Sequence, residues 1–399
     1  VTSDRLAATR SGQGDLAGSR LRAASRRLIL DQLGGVDALA QSELARRTGL
    51  SRTTVASVIS ELAAEGRVQR LEGVPAGRGR PPQLLQLRPQ QGVAAALDLG
   101  HSHLSIALTD LSGTILAERR AALNVGASAT VAIDFATDML TALLDELPTR
   151  QRPDDLRSIV IGVPGPIDGH TGALRSGTIL PGWVGMQPAD EFAARLGRPV
   201  VLDNDANLGA IGELRYGRAR GIRNLLYVKV STGIGAGMVL EGKLYRGTRG
   251  TAGEIGHVQV SEDGALCRCG SRGCLETQAS AEAALGVLSA AHGRAVTMDE
   301  ALEIVRAGDP GAVRLFTDMG TAIGRVVAAV SANLDPELVV VGGPLVDDPG
   351  PLLDGFTAAV HRYTQPYVSS NLKVAGGVLG ERAGLLGAIA MAVQAASAD

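Results

Sequence analysis

Apolar residues follow different rhythms along this 399-residue chain, and each rhythm predicts a different kind of structure. Residues 1–19 are small and polar with no sustained period, which reads as a loose tail. From Arg20 the spacing becomes helical: Leu21, Ala24, Leu28 and Leu33 recur up to the break at Gly34-Gly35, predicting a first helix. Ser42 to Thr48 predicts a short second helix with Leu44 and Ala45 inward, ended by Gly49. Ser51 then caps a third, Arg52 to Glu65, whose Val55, Val58, Ile59 and Leu62 form one apolar stripe and which Gly66 stops. Two strand-like pieces, Arg67 to Leu71 and Gln83 to Leu87, flank a Gly/Pro/Arg loop. This order predicts a winged helix-turn-helix over residues 20–88, with Pro89 and Gly92 as a hinge.

Beyond the hinge the pattern turns to buried strands. Val93 to Leu99 is continuously apolar, and His103 to Asp110 and Thr114 to Ala122 complete a meander. Helix Ala129 to Leu147, strand Ser158 to Val163, helix Gln187 to Leu196 and strands Val200 to Asp203 and Asn224 to Lys229 follow. Helix Gly311 to Leu334, strand Leu338 to Val341 and a small-residue helix, Gly384 to Ala396, come near the end. Strand-helix alternation of this kind means α/β layers over residues 92–399. No short internal repeat is visible.

Composition adds little until it is divided. At 45% hydrophobic and 20% charged residues, the chain is of ordinary globular type, with no apolar run of the roughly 18 residues that a membrane span needs. The polar start lacks the apolar centre of an export signal, so a cytoplasmic protein without membrane partners is expected. Net charge is −2, but residues 1–90 hold 14 arginines against 8 acids, or +6, and the remainder holds 25 basic residues against 33 acids, or −8. One end alone is built to meet a polyanion. Lys229, Lys243 and Lys373 are the only lysines, a bias that reads as codon usage.

Candidate chemistry falls in four places. In the third helix, first-turn side chains Ser51, Arg52, Thr53, Thr54 and Ser57 are the ones that a helix-turn-helix sends to base edges and phosphates. Winged helices also bind proteins, but the local +6 favours DNA. Arg78 and Arg80 sit on a glycine-flanked wing suited to the minor groove, the alternative being a solvated basic linker. The chain's three cysteines, Cys267, Cys269 and Cys274, together with His257, make a complete tetrahedral zinc set, structural because no coordination position is left open. The competing reading is free thiols beside an unrelated histidine. Glycine-bearing turns at Asp98-Leu-Gly100-His-Ser-His103 and Ser231-Thr-Gly233-Ile-Gly235-Ala-Gly237 could face phosphate, the alternative being plain turns, and Asp203-Asn204-Asp205-Ala-Asn207 puts carboxylates and amides at a strand's C-terminal mouth, as a polyol requires, the alternative being a capping turn.

Taken together, Asp98-Leu-Gly100, Gly162-Val-Pro-Gly165-Pro, Asn204-Asp205-Ala-Asn207, Thr232-Gly-Ile-Gly235, Glu254-Ile-Gly-His257 and Cys267-x-Cys269-Gly-x-x-Gly-Cys274-Leu-Glu276 resemble the ROK family of repressors and sugar kinases. The resemblance covers about residues 92–399. It implies a two-lobed, actin-like α/β domain, so the whole chain is similar to a ROK transcriptional regulator. It also implies that Gly165, Asn204, Asp205, Glu254, His257 and Glu276 surround a sugar, and that His257 serves both zinc and sugar. Asp205 matches the kinases' general base. The kinases' Asp-x-Gly-Gly-Thr-Lys is here Asp98-Leu-Gly100-His101-Ser102-His103, and their second glycine triplet is Gly342-Gly343-Pro344. Losing the charge of that first loop removes transition-state stabilisation, so no enzyme activity and no ATP are expected. The expectation is a homodimeric, sugar-relieved repressor of operator DNA. An active sugar kinase with an appended DNA-binding head is the rival, and the sugar itself is open among xylose, glucose and N-acetylglucosamine.

Overall fold

The computed structural model describes residues 38–72, 83–87, 92–148, 155–168, 171–174, 180–183, 185–346 and 350–396, with most of 22–33. The tail 1–19, the hinge proline Pro89 and the wing arginines Arg78 and Arg80 lie outside the described residues. The chain divides into two compact units, Val1–Gln91 and Gly92–Asp399.

In the first unit the described residues of 22–33 are helical (α1). Then come β1 (Leu39–Ala40), α2 (Gln41–Thr48), α3 (Arg52–Ala64), β2 (Val68–Glu72) and β3 (Gln83–Leu87). The strands form one antiparallel sheet in the order β1-β3-β2. This is a winged helix-turn-helix whose core joins Ile29 and Leu33 of α1 to Leu44, Val55, Val58, Ile59, Leu62, Val68 and Leu85. The stripe expected on α1 is corrected: Leu28 is exposed, and Ile29, one position on, is fully buried. Both are apolar, so the spacing could not choose between them, and packing against α3 does.

The second unit is built on two five-stranded sheets of the same design. The first contains β4 (Val93–Leu99), β5 (His103–Asp110), β6 (Ile115–Ala122), β7 (Leu156–Val163) and β8 (Val201–Asn204), in the order β6-β5-β4-β7-β8. The second contains β9 (Leu225–Val230), β10 (Ile234–Leu240), β11 (Lys243–Tyr245), β12 (Leu338–Gly342) and β13 (Lys373–Gly376), in the order β11-β10-β9-β12-β13. In each, an antiparallel meander of three strands is extended by two parallel strands. The fold is therefore duplicated, although the sequence shows no repeat. Each lobe has its own apolar core. In the first, α4 (Ala129–Asp145) and α5 (Pro188–Leu196) cover the sheet. In the second, α8 (Ala281–His292), α9 (Met298–Arg306), α10 (Pro310–Leu334) and α11 (Pro351–Tyr363) do so, with the short helices α7 (Glu276–Ala279) and α12 (Pro366–Asn371) before and after them. By length and composition α10 could cross a membrane, but its Phe316, Ile323 and Val327 are buried in this core.

Two helices tie the lobes together. The helix α6 (Asp205–Arg215) leaves the first sheet and packs on β9 and β10 of the second. The helix α13 (Ala383–Ala396) leaves the second and packs on β4, β5 and β7 of the first. They also pack on each other, and small residues let the backbones touch: a Cβ on Gly212 would lie 2.3 Å from the Ala383 carbonyl, and one on Gly387 would lie 1.8 Å from the Leu208 carbonyl. This contact explains the small-residue composition of the last helix.

Candidate functional site

At the start of α3 the Ser51 hydroxyl accepts the Thr54 amide at 3.1 Å, so the residue expected to reach DNA also caps the helix. Arg52, Thr53 and Ser57 are exposed; Thr53 and Ser57 lie opposite the buried stripe, whereas Arg52, spaced three and seven residues before Val55 and Ile59, is exposed as the first residue of the helix. Thr54 is half-buried, its hydroxyl 2.8 Å from that of Ser51. Ser57 donates to Glu61 at 3.3 Å, and Glu61 is paired with Arg22 of α1.

The cleft of the second unit begins where β8 ends. Asn204 is the N-cap of α6: its Oδ1 accepts the amides of Ala206 at 2.8 Å and Asn207 at 3.2 Å, and its Nδ2 donates to the Gly165 carbonyl at 3.1 Å. Capping consumes most of this side chain, leaving one N–H for a ligand. The buried carboxylate of Asp203 underpins the turn. It accepts the Asn204 amide and Asn207 Nδ2, each at 2.8 Å, and pairs with Arg246 across the mouth. A small cavity of about 90 Å³ lies there, lined by Ile167, Leu202, Asp203, Asn204, Asn207, Arg246 and Gly250. Asp205, the first residue of α6, has Oδ2 2.7 Å from Lys229 Nζ.

The other lobe contributes Glu254, His257 and Glu276. Glu254 precedes a single 3-10 turn, Ile255–His257, and its Oε2 is 3.8 Å from His257 Nε2. Burial, then the neighbouring charges of Asp205 and Glu276, push the Glu254 carboxyl up to about 7. Glu276 is buried, and its Oε2 accepts the Ile234 amide at 3.2 Å. A Cβ on Gly233 would come within 2.5 Å of that oxygen, so the second glycine turn needs glycine to let the carboxylate approach.

The cysteine hairpin lies directly beside these residues. The side-chain donor atoms of His257, Cys267, Cys269 and Cys274 all lie within 4.8 Å of one another. Cys267 Sγ is 3.6 Å from His257 Nδ1, and Cys269 Sγ is 3.7 Å from Cys274 Sγ, far beyond a disulfide. Metal bonds of about 2.3 Å to sulfur and about 2.0 Å to nitrogen give tetrahedral edges of about 3.8 Å and about 3.5 Å. The residues fit a tetrahedral metal. Burial and the adjacent thiols push Cys274 up to about 12, a cost that a bound cation would reverse. His257 thus turns Nδ1 to the sulfurs and Nε2 to Glu254. Arg268, between two of the cysteines, puts Nε 3.3 Å from Glu276 Oε1 and Nη2 2.5 Å from Glu282, so the hairpin physically holds a cup carboxylate.

The first glycine turn is closed over. A Cβ on Gly100 would overlap the His103 ring, 2.1 Å from its Cε1, so imidazole covers the backbone that a phosphate would approach. His103 Nε2 is 3.9 Å from Asp98 Oδ2, and Asp98 Oδ1 has no hydrogen-bond partner among the described residues. The sequence reading brought Asp205, Glu254, His257 and Glu276 to one cleft. Asp203 was in the expected motif, but Lys229, Arg246 and Arg268 were missed, and the one available signal was a lysine in an apolar strand of a chain that mostly uses arginine.

Comparison with known proteins covers both units. A model of the ROK family matches residues 94–395, and a model of winged helix-turn-helix DNA-binding matches residues 23–69. The xylose repressor of Bacillus spizizenii is 27% identical over 370 residues, spanning 93% of this chain and 95% of that one. The glucokinase of Thermotoga maritima is 31% identical over 307 residues, spanning 73% of this chain and 94% of that one. Among solved structures, a ROK family transcriptional regulator, homolog of the Escherichia coli MLC protein, superposes with a TM-score of 0.77 at 23% identity, covering 94% of this chain and 96% of the other.

Proposed function

Because the chain belongs to the ROK family and joins that domain to a winged helix-turn-helix, we propose that it is a sugar-responsive transcriptional repressor and not an enzyme. The observation that carries the reading is the split state of the cleft. The sugar side keeps Asp205, Glu254, His257 and Glu276 within it, while His103 covers the first phosphate turn and Lys229 engages Asp205. Similarity to a repressor across both units supports it.

In this reading Ser51, Arg52, Thr53, Thr54 and Ser57 enter the major groove of operator DNA, and Arg78 and Arg80 follow the minor groove beside it. Two heads of a homodimer read the halves of a pseudo-palindrome in the cytoplasm. A monosaccharide rests on Asp205, Glu254, His257 and Glu276, with the free N–H of Asn204 and the backbone at Gly165 closing one side. His257, Cys267, Cys269 and Cys274 hold Zn²⁺, which is structural because these four donors fill its shell. Sugar binding favours one lobe arrangement and, through it, the head arrangement with weaker DNA affinity.

The test is release of operator DNA from the purified protein across a panel of pentoses, hexoses and N-acetylhexosamines. Release by one sugar, lost in Glu254→Ala, is expected. No release by any sugar would overturn the reading. The kinase reading has Asp205 and the glucokinase relative in its favour. A coupled assay with ATP and the same panel decides between them, since turnover above about one per second, in the ordinary enzyme range, would establish a kinase.

A further inference from the structure

Of the chain's three lysines, Lys243 and Lys373 are exposed and Lys229 lies in the cleft, bonded to Asp205. The duplicated sheets show how it is placed. In the first sheet, Asp98 of β4 pairs with Ser105 of β5 and with Gly162 of β7. In the second, Lys229 of β9 pairs with Gly235 of β10 and with Gly342 of β12. With the same strand order in both lobes, Asp98 and Lys229 are structural counterparts: each lies on the strand that joins the meander to the parallel pair, opposite a glycine of the next strand. One lobe thus offers a carboxylate where the other offers an ammonium. Glycine on both neighbouring strands leaves Lys229 the one side chain of its row across β10, β9 and β12.

The electrostatics fit this placement. Burial alone would push the Lys229 ammonium down, but Asp205 and then Asp98 hold it above the ordinary lysine value. Asp98 is itself buried, with an oxygen that lacks a hydrogen-bond partner, so a nearby positive charge is what keeps its carboxylate tolerable there. Phosphoryl transfer requires divalent ions that neutralise the phosphates, and such ions take carboxylate oxygens as ligands. Asp205, which Lys229 bonds, and Asp98, whose charge also acts on Lys229, are two carboxylates that could serve such an ion.

We propose that Lys229 is the resident counter-ion of the cleft: its ammonium, carried by the strand that corresponds to that of Asp98 and bonded to Asp205, takes the place of a cation there, so the cleft takes its effector without a nucleotide-bound divalent ion. Lys229 is then a positioning residue. It holds the Asp205 carboxylate in place toward an effector hydroxyl and excludes the metal that a kinase would need there.

This rests on the cleft being an effector site, but the test needs no effector. Mn²⁺ alone is titrated into the full-length protein and followed by the electron paramagnetic resonance of the free ion. Wild type and Lys229→Arg, which keep the charge, should leave millimolar Mn²⁺ free. Lys229→Met should bind one Mn²⁺ at least about tenfold more tightly, and adding Asp98→Asn should abolish the gain. Lys229→Gln carries the same expectation and serves if the methionine variant does not fold. Equal Mn²⁺ binding by wild type and the neutral variants, or a gain that survives Asp98→Asn, overturns the proposal. Failure of every sugar to release DNA would overturn the effector reading and leave the Mn²⁺ result standing on its own.

Discussion

Replacing Arg268 with alanine tests whether the proposed metal, besides holding its own hairpin, acts on the proposed sugar site. Arg268 belongs to the cysteine hairpin but ligates nothing, and its guanidinium reaches the buried Glu276 at 3.3 Å. Without it, Glu276 keeps the Ile234 amide and loses its charged partner. Exposed ion pairs contribute about 0.2–1 kcal/mol, whereas removing the partner of a buried charge costs about 3–5 kcal/mol. The arginine side chain is 28% exposed, so solvent screening brings the cost between the two, to about 1–2 kcal/mol. Where Glu276 must be correctly aimed to accept a sugar hydroxyl, that loss appears in effector affinity as a weakening of about 5- to 30-fold. Isothermal titration with the sugar that releases DNA measures the affinity, and atomic absorption measures the zinc. The expected result is weaker sugar binding at unchanged metal content. Undiminished affinity would show that the hairpin does not act on the cup through Glu276, and loss of metal would show that Arg268 supports the hairpin instead.

Three further outcomes test other links. Cys269→Ser should lose metal and sugar binding together, and full sugar affinity in the metal-free variant would detach the hairpin from the cup. Gly387→Ala puts a methyl against the Leu208 carbonyl where α13 meets α6, so the thermal midpoint should fall by the equivalent of about 1–3 kcal/mol, and an unshifted melt would refute the close contact. Arg52→Ala should weaken operator binding by about 1–3 kcal/mol while leaving random DNA unaffected in gel-shift titrations, whereas equal weakening of both would make Arg52 a phosphate contact only.

What the sequence revealed follows from where its signals are local. The helix-turn-helix could be read because a cap, a stripe and a stop glycine each lie within one helix, and Ser51, Val55 and Gly66 suffice. The cysteine cluster could be read because three ligands fall within eight residues. The duplication could not: strand order is a property of pairing between distant segments, and the two halves share a design without sharing side chains. Lys229 was hidden for the same reason. Read along the chain it is one polar residue ending an apolar strand, and its meaning comes from Asp205, 24 residues earlier, and from Asp98 on the other sheet. Asn204 marks a subtler limit. Its place in the motif was legible and a capping turn was one of its two readings, but only geometry reveals that it caps α6 within the cleft and spends most of its hydrogen-bonding capacity doing so.

The arrangement also constrains how a sugar could act as a signal. Moving a two-state equilibrium from 1:99 to 99:1 needs a ligand that prefers one state by about 10⁴-fold, or about 5.5 kcal/mol. A sugar held by one lobe alone would bind every lobe arrangement equally and shift nothing, however tightly it bound. Here Asn204 and Asp205 come from the end of the first sheet, and Glu254, His257 and Glu276 come from the second lobe. Each bond to a charged group contributes about 1.5–3 kcal/mol, so two or three bonds that form only when both sides reach the same ring supply the required preference. The lysine that pairs with Asp205 stands on the second sheet, which makes even the first lobe's carboxylate sensitive to the gap. On the proposed reading, splitting the sugar site between lobes is what allows binding energy to become a change of state.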